Sequence, residues 1–229
     1  MRCEPGRLVL STLLGATLLL TQTNVPTAHS MAMAEDGASY GIYSSLMPLG
    51  ETGGKDWPHA LWLVQNKTIT VVPQDQPCLP QPVSPSAAPP FSDSMNPHVA
   101  VHPPDRWQQD FKEILADFDA HCHERLDLDP NPNLWGLSAP LRLLTPQEQK
   151  EFQSTRFGQP LNHAAAEKYK GAPALYGFSR VYFNASHTVG LVYATHWCGG
   201  LCGQGLWIAV ALESGHWKRL PWNANTWIS

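Results

Sequence analysis

Charge is scarce in this chain. Asp, Glu, Lys and Arg make up 15% of its 229 residues, and the net charge at neutral pH is −4. No basic stripe runs through it, which argues against nucleic acid or an anionic membrane as partner. Reaction signatures are missing as well. There is no G-x-S-x-G elbow, no H-E-x-x-H and no glycine-rich phosphate loop. No catalytic residue, cofactor or metal is therefore assigned. Long apolar runs are absent after the first stretch, so no later segment is long enough to cross a bilayer as a helix. Cysteine is rare at 5 residues, whereas proline is frequent at 21. Composition alone points to one medium domain with long irregular connections.

The N-terminus has the build of a targeting segment. Arg2 and Arg7 precede the apolar run Leu8–Thr21, whose length suits a signal peptide and is short for a membrane span. Small residues at Ala28-His29-Ser30 and Ala32-Met33-Ala34 offer cleavage after Ser30 or Ala34, and Ala34 is preferred here. An uncleaved anchor is the alternative. Residues 1–34 are read as a signal peptide, so the protein is expected to be secreted or periplasmic, with no membrane insertion after cleavage. Cleavage removes Arg2, Arg7 and Glu4, which takes the net charge from −4 to −5. Cys78, Cys122, Cys198 and Cys202 remain. An even number in an exported chain favours disulfides over metal thiolates.

The last quarter is the most regular part. Tyr176–Asn184, Thr188–Trp197, Leu206–Glu213 and His216–Trp222 are rich in β-branched and aromatic residues, with short turns between them. Turns this short join antiparallel neighbours, so a β-meander is expected. Cys198-Gly199-Gly200-Leu201-Cys202 forms the tip of the central hairpin. Cross-strand Cα distances overlap those a disulfide accepts, so Cys198–Cys202 is read as a staple. The leftover pair is Cys78–Cys122. If Cys198 faces Cys202, then Tyr193 faces Trp207 and Val192 faces Ile208. Both faces of these strands are then apolar and should be covered.

Upstream the reading is coarser. Tyr40–Leu49 suits either a helical turn or a short strand. Leu61–Val64 and Ile69–Val72, with Gln65–Thr68 between, read as a β-hairpin within an N-terminal segment 35–72. Residues 73–104 form a proline-rich connection. Trp107, Phe111, Ile114, Leu115 and Phe118 recur at helical spacing, which predicts a helix from about Pro104 to His121. Leu141–Leu144 is a strand candidate. Thr145-Pro146-Gln147-Glu148 is a capping box that starts a helix ending near Ser154, and a weaker helix occupies Asn162–Tyr169. The fold class is α+β: an antiparallel meander and an N-terminal hairpin packed with two or three helices. Residues 105–229 form one globular domain with 35–72.

The segment Phe178–Asn184, then Gly190–Tyr193, Cys198–Gly205 and the terminal Trp227-Ile228-Ser229, resembles a family of uncharacterised exported bacterial proteins. These share a Leu-Leu-Thr-x-x-Glu helix start, here Leu143–Glu148. The likeness covers the C-terminal part well and the earlier part loosely. It implies an exported α+β protein and carries no catalytic residue.

Several constellations invite chemistry. A redox-active cysteine pair usually has two intervening residues at a helix N-terminus; here there are three at a strand tip, which favours a structural disulfide. His196, Cys198 and Cys202 are three zinc-type ligands without an evident fourth. His121 and Glu124 share a helix face at a helix end, where such groups are usually solvated. Five of the nine tryptophans lie at 197, 207, 217, 222 and 227. They are read mostly as core, with Trp222 and Trp227 partly exposed. Whether Trp207 and Trp217 share a face depends on a two- or three-residue turn after Leu212. The binding candidates are Arg180, Tyr182, His196, Trp222 and Trp227. The preferred function is a non-enzymatic binding or structural domain of the cell envelope, acting on a small molecule, glycan or envelope protein. The alternatives are an envelope hydrolase with a dispersed site near Arg180, Tyr182 and His196, or a carbohydrate binder using exposed indoles.

Overall fold

The computed structural model describes residues 37–47, 61–79, 95–155, 163–200 and 202–228. The expected leader and residues 80–94 of the proline-rich connection lie outside them. In chain order the elements are α1 (Gly37–Leu46), β1 (Trp62–Gln65), α2 (Pro97–Ala100), α3 (Gln108–His121), α4 (Pro132–Trp135), β2 (Leu141–Leu144), α5 (Pro146–Ser154) and α6 (His163–Lys168). There follow β3 (Leu175–Phe178), β4 (Tyr182–Phe183), β5 (Val189–Gly199), β6 (Cys202–Glu213) and β7 (His216–Ile228). The strands make one seven-stranded sheet in the order β2-β1-β3-β5-β6-β7, with β4 added on β5. The fold is α+β with a C-terminal meander.

Alternation decides how this sheet is buried. Tyr176, Phe178, Val192, Ala194, Ile208 and Val210 point to one face, where Tyr40 and Tyr43 of α1 and Trp135 of α4 pack on them. Leu191, Tyr193, Trp207, Ala209 and Ala211 point to the other, under Phe111, Ile114 and Phe118 of α3. On that same side, Leu63, Leu144 and Leu175 meet Phe152 of α5, Ala165 of α6 and Tyr169 just beyond it. Helices thus cover both faces, as the two-sided apolarity requires. Each fully buried large side chain in these clusters contributes about 1.5–3 kcal/mol.

The meander has the expected register, Val192 with Ile208 and Tyr193 with Trp207, but at the tip a register shift puts Gly199, in place of Cys198, opposite Cys202. The next turn has two residues. Ser214 and Gly215 have φ of 52° and 79°, the conformation that suits the strand twist, and Leu212 pairs with Trp217. The expected strand Tyr176–Asn184 is two strands. At the break, Ser179 Oγ accepts from Tyr193 N at 2.9 Å while Ser179 N donates to Tyr193 O at 2.8 Å. The serine side chain carries the ladder across a place where the backbone leaves it.

The N-terminal hairpin is corrected. β1 is flanked by β2 and β3, parallel to both, so neither of its edges is open to Ile69–Val72. That segment finds other partners. Thr68 N donates to Leu126 O, Leu128 N to Asn66 O, and Ile69 N to Phe178 O. Val71 and Val72 then bury among the side chains beneath α3. Parallel neighbours need long crossovers, and α3, α5 and α6 lie within them.

The helices follow local chemistry. α3, α5 and α6 fall where spacing and caps place them, and 37–46 resolves to helix. Thr145 and Glu148 form the full reciprocal capping box on α5. α2 and α4 are single turns, each with an asparagine cap and proline at the first position: Asn96-Pro97 and Asn131-Pro132. Arg219 Nη2 of β7 donates to Leu46 O at 2.8 Å and so satisfies a terminal carbonyl of α1. Both expected disulfides are present, Cys78–Cys122 with Cα atoms 6.0 Å apart and Cys198–Cys202 with 5.1 Å. Among the described residues, no helix is long and apolar enough to cross a membrane.

Candidate functional site

The densest polar arrangement lies where α3 meets the β4–β5 turn. Asp110, Glu113 and Asp117 share a face of α3 through the helical repeat. Each carboxylate holds the turn. Asp110 accepts from Asn184 Nδ2 at 2.8 Å, Glu113 from Ala185 N at 3.0 Å and Asp117 from Phe183 N at 2.9 Å. One turn past the helix, Glu124 pairs with Arg180. Asn184 holds the turn from inside: its Oδ1 accepts from Thr188 N and Val189 N at 2.9 and 3.0 Å. Hydrogen bonds from Gln109 and then from Ala185 hold the Glu113 carboxyl below its usual range.

Between helix and turn lies a cleft of about 450 Å³, lined by residues that include Glu113, Asp117, Arg180, Asn184 and His187. His187 has φ of 52°, a left-handed conformation uncommon outside glycine, and its ring stacks on Phe183 at 4.9 Å. Arg180 lies over the Tyr182 ring at 6.0 Å. Its Nε is buried and has no hydrogen-bond partner among the described residues. A buried donor without an acceptor is costly, about 1–3 kcal/mol or more for a charged group. Beside the cleft, His121 Nδ1 bonds Asp117 Oδ1 at 2.7 Å. That is the orienting half of a general-base pair. Among the described residues no hydroxyl or thiol is hydrogen-bonded to His121.

The residues read from the sequence do not converge. Arg180 and Tyr182 lie together, but the Tyr182 ring is buried against Phe118 and Trp207 beneath α3. His196 belongs to the opposite face, across from Tyr176 of β3, with ring centroids 6.4 Å apart. The two-residue turn sends Trp217 to the α1 side while Trp207 sits under α3. Trp222 is 8% exposed, packed against Phe111, and corrects the expectation that it is partly open. Trp227 is half-buried. Its Nε1 donates to Tyr193 OH at 2.9 Å. A Cβ on Gly205 would overlap both groups, so only glycine admits that contact. Among the described residues no tryptophan is exposed, and no indole row forms.

What sequence reading missed is the acid stripe. Its signal, Asp110-x-x-Glu113-x-x-x-Asp117, was present, but such a stripe resembles an ordinary solvated face until its partners are known. The cysteine groups are clearer. Cys78, Cys122 and His123 form one metal-type cluster and His196, Cys198 and Cys202 another, each with ligand atoms within 4.8 Å. In both, the two sulfurs are bonded to each other. No known protein family, no curated protein and no solved structure matches the chain.

Proposed function

We propose that this is a non-enzymatic, exported binding domain of the cell envelope that takes a small polar ligand in the cleft between α3 and the β4–β5 turn. The observation that carries the reading is the buried Arg180 Nε–H, a donor with no acceptor among the described residues, on a side chain that lines the cleft. A carboxylate, an amide carbonyl or a sugar hydroxyl would meet that need. The carboxylates of α3 support binding over proton transfer, because each already holds the turn in place. Export is supported by the leader-like N-terminus and by two disulfides, which persist in oxidising compartments.

The test is an NMR titration with two probes: N-acetylated hexosamine oligosaccharides and short acidic peptides. The Arg180 Nε–H resonance and the amides of residues 183–188 should shift with one of them, and R180Q should abolish the response. Silence of those resonances towards both probes sinks the cleft. Turnover of either probe would favour the hydrolase instead.

A further inference from the structure

The other end of β5 carries a different chemistry. At roughly 3.3 Å per residue, the tip lies about 33 Å along the strand from the cleft. There, His196, Cys198 and Cys202 present a nitrogen and two sulfurs, all within 4.8 Å of one another. His196 is only 6% exposed and is held in the sheet between Tyr176 and Gln204. The register slips between Trp197 and Gly199, and this bulge seats Gly199 opposite Cys202. Cys202 is exposed, within reach of a reductant. The second group is different in this respect, because Cys122 is 1% exposed at the end of α3.

We propose that the hairpin tip is a redox-gated site for a thiophilic d¹⁰ cation, Zn²⁺ or Cu⁺, held by Cys198, Cys202 and His196 once their disulfide is opened. Thiolate and imidazole are the ligands such cations prefer. Opening takes a dithiol reductant. One of its thiolates attacks the exposed Cys202 sulfur and Cys198 leaves. The second then resolves the mixed disulfide, so the reductant ends as a disulfide and both protein sulfurs end as thiols. Two electrons and two protons pass to the pair. Cation capture returns both protons to water as the sulfurs ligate as thiolates, with His196 neutral. A disulfide oxidant reverses the exchange: it takes the two electrons and, with two protons from water, leaves as a dithiol, while the protein sulfurs rejoin and expel the ion. A buried imidazole already beside both sulfurs spares the site the cost of ordering a third ligand.

The experiment uses the full chain, partly reduced with dithiothreitol without oxygen. Mass spectrometry of alkylated cysteines reports which disulfide opened. Zn²⁺ is then titrated against a chelating dye and Cu⁺ against a Cu⁺-selective chelator, which separates the two ions. Cys198–Cys202 should open first, and the reduced chain should bind a single ion. Cys198→Ser with Cys202→Ser should lose that binding. His196→Gln should weaken it by about tenfold or more, while its oxidised form keeps the wild-type circular dichroism. The proposal fails if Cys78–Cys122 opens first, if the double serine variant binds as tightly, or if His196→Gln leaves affinity unchanged.

Discussion

Two disulfides stand in this molecule in opposite situations. Cys78–Cys122 joins residues 44 apart and ties the start of the proline-rich connection to the end of α3. Cys198–Cys202 spans 4 residues at an exposed tip whose strands are already paired. In the loop-entropy account the first contributes about 4 kcal/mol and the second about 2. The same bond is thus a structural tie in one place and a local, chemically accessible group in the other. Sequence separation and exposure make that difference; the cysteines themselves do not.

That contrast can be broken by experiment. Replacing Cys78 and Cys122 with serine should cost about 4 kcal/mol and lower the melting temperature by roughly 8–16 °C, read by calorimetry. A smaller loss than at the tip would overturn the comparison. Gly205→Ala sharpens it from the tip side. The new methyl displaces Trp227 from Tyr193, with an overpacking cost of about 1–3 kcal/mol, visible in urea unfolding and as a changed indole fluorescence. Serine at both Cys198 and Cys202 should cost about 2 kcal/mol or less, with the register of β5 and β6 intact by amide exchange.

The smallest effect lies away from both staples. The Thr145 N–H, and then Arg142 and the Thr145 hydroxyl, act against burial to bring the Glu148 carboxyl from 4.5 to about 2. Because the folded value is the lower one, this stability is present above pH 4.5 and is lost as pH falls towards 2. Glu148→Gln should flatten that part of the acid-unfolding curve relative to wild type, and Thr145→Ala should cost about 1 kcal/mol at neutral pH. An unchanged acid limb in Glu148→Gln would remove the capping box from the stability account.

The pattern of success from sequence follows the range of each interaction. The capping box and the 193–207 register depend on neighbours in the chain or on one hairpin, and both were readable. Ile69–Val72 had the composition of a strand, but composition does not name a partner. The edges of β1 were taken by strands far away in sequence. The acid stripe on α3 failed for the same reason, since its acceptors meet backbone N–H groups of residues 183 and 185. The direction of Trp217 hinged on a one-residue difference in turn length, which the sequence left open.

β1 sits between Leu141–Leu144 and Leu175–Phe178, parallel to both. During synthesis it emerges early and then waits, because neither flank exists until most of the polypeptide has left the ribosome. Among the described residues, Trp62, Leu63 and Val64 therefore have no strand partner in the amino-terminal half. Pairing of β1 is thus a long-range closure, and such closure is slow. Until it closes, an apolar, strand-forming segment near the front of the chain has both hydrogen-bonding edges unpaired.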